Sequence, residues 1–334
     1  MNGEKKRQRF IVTGGCGFIG SNFLRLIVKK YPEADFVNID KLTYSGNLEN
    51  TKELEDKLNY HFIQGDIGNE DLMNHIIKEG DIIVNFAAES HVDNSIKEPQ
   101  LFIKTNILGT HNLLEVARKK KAKLFVQIST DEVYGSLNFD ASSSTEHDLL
   151  NPSSPYSASK AAAEMICIGN MITFKQPIII TRSSNNFGPS QFPEKVIPLF
   201  VTNLIEGKKV PLYGEGKNVR DWIYVEDNCE AIDFLIQNGE VGKIYNIGGG
   251  NEIQNITLTK TILDMMGFND MYIERVEDRK GHDLRYSLDC TKINNLGWFP
   301  KSKFNEALDK TINWYKINKF WWEPLKHIQG KRTS

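Results

Sequence analysis

The sequence predicts an α/β protein, a doubly wound and mostly parallel sheet followed by a smaller C-terminal lobe. Three observations predict it. In the first half of the 334-residue chain, short β-branched or aromatic runs alternate with longer segments whose apolar residues recur every three or four positions, the pattern of βαβ units. Runs such as Ile82-Ile-Val-Asn-Phe86 and Ile178-Ile-Ile-Thr181 are apolar nearly throughout, as parallel strands covered by helices on both faces require. After about Asn186 that alternation gives way to Gly- and Pro-bearing loops, including Gly188-Pro189, Gly214-Glu-Gly216 and Gly248-Gly-Gly250.

In chain order, strands are expected at 9–13, 35–40, 60–65, 81–88, 123–130 and 177–183, with helices at 19–30, 70–79, 101–119 and 157–173. Six or seven strands in one sheet follow. Residues 1–186 then form the first domain and 187–334 the second. The division is discontinuous, because 225–238 and 243–248 read as a helix and a strand returning to the first sheet. There is no internal repeat, and Ser142-Ser-Ser144 reads as loop.

Composition narrows the function. Hydrophobic residues make up 40% and charged residues 25% of the chain, an ordinary globular balance. Lys plus Arg number 41 against 43 Asp plus Glu, a formal charge of −2, which gives no electrostatic case for nucleic acid or an anionic membrane. No apolar stretch approaches the roughly 20 residues that cross a bilayer. The basic residues Lys5, Lys6, Arg7 and Arg9 run straight into the first strand, without the apolar region of a signal peptide. The four cysteines, at 16, 167, 229 and 290, contain no CxxC pair, so reduced thiols in a cytoplasmic protein are expected, with no metal site.

The first strand ends in Thr13-Gly-Gly-Cys-Gly-Phe-Ile-Gly20, which carries the GxxGxxG spacing at 14, 17 and 20 and GxGxxG at 15, 17 and 20. One glycine makes the tight turn, one lets a pyrophosphate reach the N–H groups of a helix N-terminus, and one lets that helix pack on the strand. A lone glycine motif is equally a flexible turn. Here a strand precedes it, a helix follows, and Asp40 stands 20 residues after Gly20 at the end of the second strand, the context of a Rossmann-type dinucleotide fold. An acidic residue there accepts from a ribose diol and repels a 2′-phosphate, favouring NAD, although Lys41 weakens the repulsion. Asp66 and Ala87-Ala88, at later strand ends, approach the adenine and ribose.

The fifth strand ends in Ser129-Thr-Asp-Glu-Val-Tyr-Gly135, and the next helix opens Pro155-Tyr-Ser-Ala-Ser-Lys160. Tyr156 and Lys160, four apart, share one helix face. The ammonium favours the tyrosinate, as does the positive charge of an oxidised nicotinamide, so the phenol is expected to fall from its usual value of about 10 and Tyr156 to act as a general acid or base. As a bare YxxxK spacing the pair is common on helix surfaces; its place after the fifth strand argues for function.

These features resemble the extended short-chain dehydrogenase/reductase superfamily. They are most similar to its dTDP-glucose 4,6-dehydratase branch, which serves deoxysugar (rhamnose) biosynthesis. The phrases carrying the resemblance span nearly the whole chain: Gly14 to Gly20, Asp40-Lys-Leu-Thr-Tyr44, Asn85-Phe-Ala-Ala88 continuing into Glu-Ser-His-Val-Asp93, Thr105-Asn106, Thr130 to Gly135, Asn185-Asn-Phe-Gly-Pro189, Gln191-Phe-Pro-Glu-Lys195, Asn218-Val-Arg-Asp-Trp222 and Asp278-Arg-Lys-Gly-His282. The resemblance implies NAD held by Gly14, Gly17, Phe18, Ile19, Gly20, Asp40, Lys41, Thr43, Asp66, Ile67, Ala87, Ala88, Thr105, Tyr156, Lys160 and Asn186. It also implies that Tyr156 takes the C4 hydroxyl proton of the sugar while Thr130 bonds the C4 oxygen. Glu132 would remove the C5 proton, Asp131 would protonate the departing C6 hydroxyl, and a hydride would return to C6. Adjacent carboxyls suit water removal on their own chemistry, though Asp is common in strand-to-loop turns. To donate, Asp131 needs a raised pKa.

With no net positive charge, the diphosphate of a nucleotide-sugar needs local cations, and Arg220 and Arg279 match the family's diphosphate-binding arginines. Ser90, Asn185, Lys195, Tyr213, Asn255 and His282 match positions around the nucleotide and sugar, with Glu89 beside them. The chain departs from the family's usual phrases at Asn94, Asn228 and Lys280, none in the proton-transfer set. A UDP-sugar 4-epimerase or a UDP-glucuronate decarboxylase would keep Tyr156, Lys160 and the glycine loop, and a silent NAD-occupancy sensor would be expected to lose the Tyr or Lys. Extended members also pair the 101–119 and 157–173 helices with a second copy; Leu108, Leu113, Leu114, Met165 and Ile166 fit such a homodimer or the core alike.

Overall fold

A computed structural model describes residues 7–278 and 281–330. The chain begins with β1 (Arg9–Thr13), α1 (Phe18–Lys30), β2 (Asp35–Asp40), β3 (Tyr60–Gln64), α2 (Glu70–Ile76), β4 (Ile82–Asn85), α3 (Val92–Lys97) and α4 (Pro99–Phe102). A π-helical stretch at Ile103–Gly109 leads into α5 (Thr110–Lys119), then β5 (Leu124–Thr130), a 3-10 turn at Asp131–Tyr134, α6 (Pro155–Phe174) and β6 (Ile178–Ser183). There follow β7 (Asn185–Phe187), α7 (Val196–Ile205), β8 (Val210–Tyr213), β9 (Val219–Tyr224), α8 (Val225–Asn238) and β10 (Ile244–Ile247). The last part holds β11 (Glu252–Gln254), α9 (Asn255–Met266), β12 (Ile273–Val276), α10 (Thr291–Asn295), α11 (Phe304–Ile317) and α12 (Lys319–Gly330).

Seven strands form one sheet in the order β3-β2-β1-β4-β5-β6-β10, every neighbouring pair parallel. This is the doubly wound arrangement that the sequence predicts. Both faces are covered. One core packs α1 and α8 through Phe23, Leu24, Ile232 and Leu235, and the other packs α2, α5 and α6 through Met73, Leu113, Leu114 and Cys167. The strand order reverses between β1 and β4, and such a switch point leaves a crevice at the strands' C-terminal ends. A third core, around Phe187, Phe200, Trp222, Leu258, Tyr315 and Trp322, belongs to β7, α7, β9, α9, α11 and α12. The chain leaves the large sheet after Ser183 and enters the three-stranded sheet β11-β9-β7 at Asn185. Among the described residues no helix is long and apolar enough to cross a membrane.

Two differences from the sequence reading bear on the site. The helix expected at 101–119 is three pieces, because a π-helical stretch interrupts it. That wider turn carries Asn106, whose side chain accepts from Glu89 N (2.9 Å) and donates to Glu89 O (3.0 Å) and Ser159 Oγ (2.8 Å); such insertions often mark functional positions. Of the apolar residues weighed for a dimer face, Leu113 and Leu114 are fully buried in this chain's own core, whereas Leu108 and Met165 remain 57% and 49% exposed.

Candidate functional site

The glycine loop and the Tyr156 helix are each set by local chemistry. Gly14 has φ +70°, and a Cβ there would lie 2.6 Å from Ala87 N. At Gly20 a Cβ would stand 2.4 Å from Gly14 O, so this residue lets α1 close on the loop. Gly17, the N-cap of α1, meets only Gly14 O at 3.2 Å, leaving room in front of the helix N-terminus for an anion. The Tyr156 helix starts at a capping box, with Ser154 and Ser157 satisfying each other's backbone N–H groups and Pro155 in the first turn. Tyr156 and Lys160 therefore face the end of β5.

A cleft of about 1570 Å³ of empty volume, open solvent included, lies over the switch point. It is lined by Gly14, Gly17, Phe18, Ile19, Gly20, Asp40, Lys41, Thr43, Asp66, Ile67, Ala87, Ala88, Glu89, Ser90, Thr105, Thr130, Asp131, Glu132, Tyr156, Lys160, Asn185, Asn186 and Lys195. Tyr213, Arg220, Asn255 and His282 lie outside its wall, and Arg279, with Lys280, lies outside the described residues. Asp40 accepts from Cys16 N (2.9 Å) and Leu42 N (2.8 Å). Lys41, which the sequence sets against NAD selectivity, pairs with Asp66 at 2.8 Å. Buried oxygens of Asn185 and Asn186 (Oδ1), Ser129 (Oγ) and Asp131 (Oδ2) have no partner within the protein, so polar ligand groups have acceptors and donors to meet there. The cradle fits NAD.

Asp131, Tyr156 and Lys160 are almost water-free, and Glu132 is half-buried. Asp131 is 3% exposed; its Oδ1 accepts from Thr130 Oγ1 at 3.1 Å, and Glu132 N donates to the same hydroxyl at 3.3 Å. Burial, then the Glu132 and Asp221 carboxylates, push the Asp131 carboxyl well above its usual range. Lys160 Nζ donates to Ile128 O at 2.5 Å, and burial lowers the ammonium to about 8. The expected lowering of the Tyr156 phenol is reversed: burial first, then Glu132 and Asp131, drive it up, and only Thr130 opposes them. Desolvation and the two carboxyl neighbours set that direction.

The second-lobe residues gather beyond the cleft. Arg220 donates to Val219 O (2.7 Å) and Asp283 O (3.0 Å) and lies 4.2 Å over the Tyr286 ring, close enough for its charge to pull Asp131 down. His282 Nδ1 is 2.6 Å from Asp278 Oδ1, with its ring edge-on to Tyr213. Asn255 opens α9, its N–H on Asn218 O at 2.9 Å. Lys195 reaches back to Ser90 O at 3.0 Å.

Comparison with known proteins decides the family. Residues 11–311 match the family profile described as GDP-mannose 4,6 dehydratase. Over 323 residues, 95% of this chain and 96% of the relative, the chain is 45% identical to a dTDP-glucose 4,6-dehydratase of Streptomyces niveus. The chain belongs to the dTDP-glucose 4,6-dehydratase family, within the extended short-chain dehydrogenase/reductases. A solved dTDP-glucose 4,6-dehydratase of Streptomyces venezuelae, with NAD and dTDP bound, superposes with a TM-score of 0.93 at 46% identity, covering 95% of this chain and all of that one. The UDP-glucose 4-epimerase of Thermotoga maritima superposes with 0.86 at 29% identity, covering 93% and 100%.

Sequence reasoning missed one pair in this dehydratase-family cleft. Tyr44 donates to Glu194 Oε1 at 2.9 Å, with the Phe192 ring edge-on to Tyr44, and all three line the wall. The phrases Asp40 to Tyr44 and Gln191 to Lys195 contain them, but nothing local in either phrase shows that they meet.

Proposed function

We propose that this chain is a 4,6-dehydratase that converts dTDP-glucose to dTDP-4-keto-6-deoxyglucose, serving deoxysugar biosynthesis of the rhamnose type. The observation that carries this reading is the pair of adjacent carboxyls, Asp131 and Glu132, beside Tyr156 and Lys160 in the cleft that fits NAD. An epimerase has no use for that pair. NAD held by the glycine loop, Asp40 and the residues around it supplies the acceptor and donor for a hydride and, when oxidised, a positive charge beside Tyr156. Tyr156 receives the C4 hydroxyl proton, and Thr130 holds the C4 oxygen. Lys160 contributes the positive charge that a buried phenol needs to ionise. With C4 a ketone, the C5 proton is acidic and Glu132 removes it. Asp131, whose carboxyl burial and the Glu132 carboxylate hold well above its usual range, gives its proton to the leaving C6 oxygen; the hydride taken from C4 then returns to C6 and a proton to C5, which leaves the 4-keto-6-deoxy sugar.

Arg220 and Arg279 hold the diphosphate in this reading, and Ser90, Asn185, Lys195, Tyr213, Asn255 and His282 hold the sugar and the nucleoside. Residues 1–186, with the 225–248 segments, form the cofactor domain, and the remainder of 187–334 forms the substrate lobe. The protein works in the cytoplasm, which its four free cysteines support. It acts as a homodimer through the outward apolar side chains of α4, the π-helical stretch and α6. Mass spectrometry of the products from dTDP-glucose and UDP-glucose tests the reading. Loss of one water from dTDP-glucose supports it, and an isomer of unchanged mass contradicts it.

A further inference from the structure

Below the acid–base turn lies a buried polar chain that takes no part in the proposed proton transfers. Arg182, on β6, and Glu164, on α6, are 2% and 0% exposed at their side chains. Arg182 Nη2 donates to Glu164 Oε2 at 2.6 Å and Nε to both carboxylate oxygens. Arg182 Nη1 donates to Tyr134 Oη at 2.7 Å, with the guanidinium 4.7 Å over the Tyr134 ring. The Tyr134 hydroxyl donates onward to Asn246 Oδ1 at 2.8 Å, and Asn246, on β10, is itself anchored on Ser144 O and Asp289 O.

The placement of these residues is specific. Tyr134 closes the 3-10 turn that begins at Asp131 and contains Glu132. Glu164 lies one turn beyond Lys160 and two beyond Tyr156 on the same helix, so the three share a face. Tyr134 and Val133 also pack on Ala161 of α6. A buried ion pair seldom stabilises a fold more than apolar residues of equal volume would, and its best-attested use is to fix one arrangement among several. Here the arrangement fixed is that of the turn bearing two carboxyls against the helix bearing Tyr156 and Lys160.

We propose that Glu164, Arg182 and Tyr134 form a clamp of positioning residues that holds Asp131 and Glu132 in register with the sugar after Tyr156 has acted. This inference rests on the dehydratase reading. Proton transfer is sensitive to placement: a shift of about 1 Å can cost roughly 100-fold. Thr130, although it caps that turn, is held by the β5–β6 ladder opposite Ser183, so the clamp governs water elimination more than C4 oxidation, which needs Tyr156, Thr130 and Lys160.

The test is single-turnover reaction of Tyr134→Phe and Arg182→Lys with dTDP-glucose, following nicotinamide absorbance, solvent deuterium at C5 and water loss. Tyr134→Phe keeps the ring and loses the bridging hydroxyl; Arg182→Lys keeps the buried cation and loses the fork. The expected result is a rise in absorbance within about threefold of the unmutated rate, with deuterium uptake and water loss slowed about 10- to 100-fold. Equal slowing of both phases, no slowing of either, or failure of both variants to fold overturns the clamp and leaves a structural role. Absence of any transient or dehydrated product from the unmutated protein overturns the dehydratase reading itself, and the clamp with it.

Discussion

The ammonium of Lys160 donates to the carbonyl oxygen of Ile128 across 2.5 Å, in the interior of the β5–α6 contact. Burial lowers it to about 8, so its charge is present below that pH and lost above it. C4 oxidation, which draws on that charge, is expected to fall as the pH rises through about 8. In Lys160→Arg the guanidinium stays charged, and the alkaline limb is expected to move up. For stability the sign is opposite: between about 8 and the usual 10.5 the unfolded chain binds more protons, so the cost that burying the Lys160 charge places on the fold is relieved as pH rises across that window. A pH profile of the oxidation step, and melting curves of the unmutated chain beside Lys160→Met at pH 8 and 10, check both, because the buried thiols that titrate in the same range are common to the two proteins.

The glycine loop yields a contrast between two small changes. Gly20→Ala places a methyl 2.4 Å from Gly14 O and is expected to destabilise the fold by about 1–3 kcal/mol, the usual cost of overpacking. Gly17→Ala meets one atom at 3.2 Å from a backbone with negative φ, so the melting temperature changes little while NAD binding weakens at least tenfold. Thermal melts beside NAD titrations separate the two effects.

How much of this was legible in the sequence depended on how local the chemistry is. The turn, the helix N-terminus and the close packing at Gly14, Gly17 and Gly20 lie within seven consecutive residues, so their spacing, with a strand before and a helix after, conveyed them. Tyr156 and Lys160 were legible through their spacing together with their place after the fifth strand, and the roles of Asp131 and Glu132 only through the family resemblance. Tyr44 and Glu194 are 150 residues apart, and no periodicity joins them. The upward push that burial gives the Tyr156 phenol was not legible, because desolvation is a property of the assembled site. The interruption at Ile103–Gly109 was hidden because a π-turn keeps nearly helical spacing of apolar residues.

Leu108 and Leu113 are expected to separate association from folding. Leu113 is fully buried, so Leu113→Ala costs about 2–5 kcal/mol through the cavity it leaves. Leu108→Glu changes an outward side chain, with about 0.5 kcal/mol or less at stake in the isolated fold. It is expected to shift sedimentation from twice the monomer mass to the monomer mass. Unchanged sedimentation at the monomer mass for both the unmutated chain and Leu108→Glu would refute the homodimer.

The account stands most directly on the separate tasks of Tyr156, Asp131 and Glu132. One experiment reads them all: single-turnover nicotinamide absorbance with solvent deuterium incorporation for Tyr156→Phe, Asp131→Asn and Glu132→Gln. Tyr156→Phe is expected to suppress the absorbance change and everything after it. Asp131→Asn should oxidise C4 and exchange the C5 proton while water loss slows by roughly 10²- to 10⁴-fold, the contribution of a positioned acid. Glu132→Gln should oxidise C4 and lose C5 exchange. If Asp131→Asn and Glu132→Gln both eliminate water at the unmutated rate, the two carboxyls are a turn and no more, and the dehydratase mechanism assigned to this site is wrong.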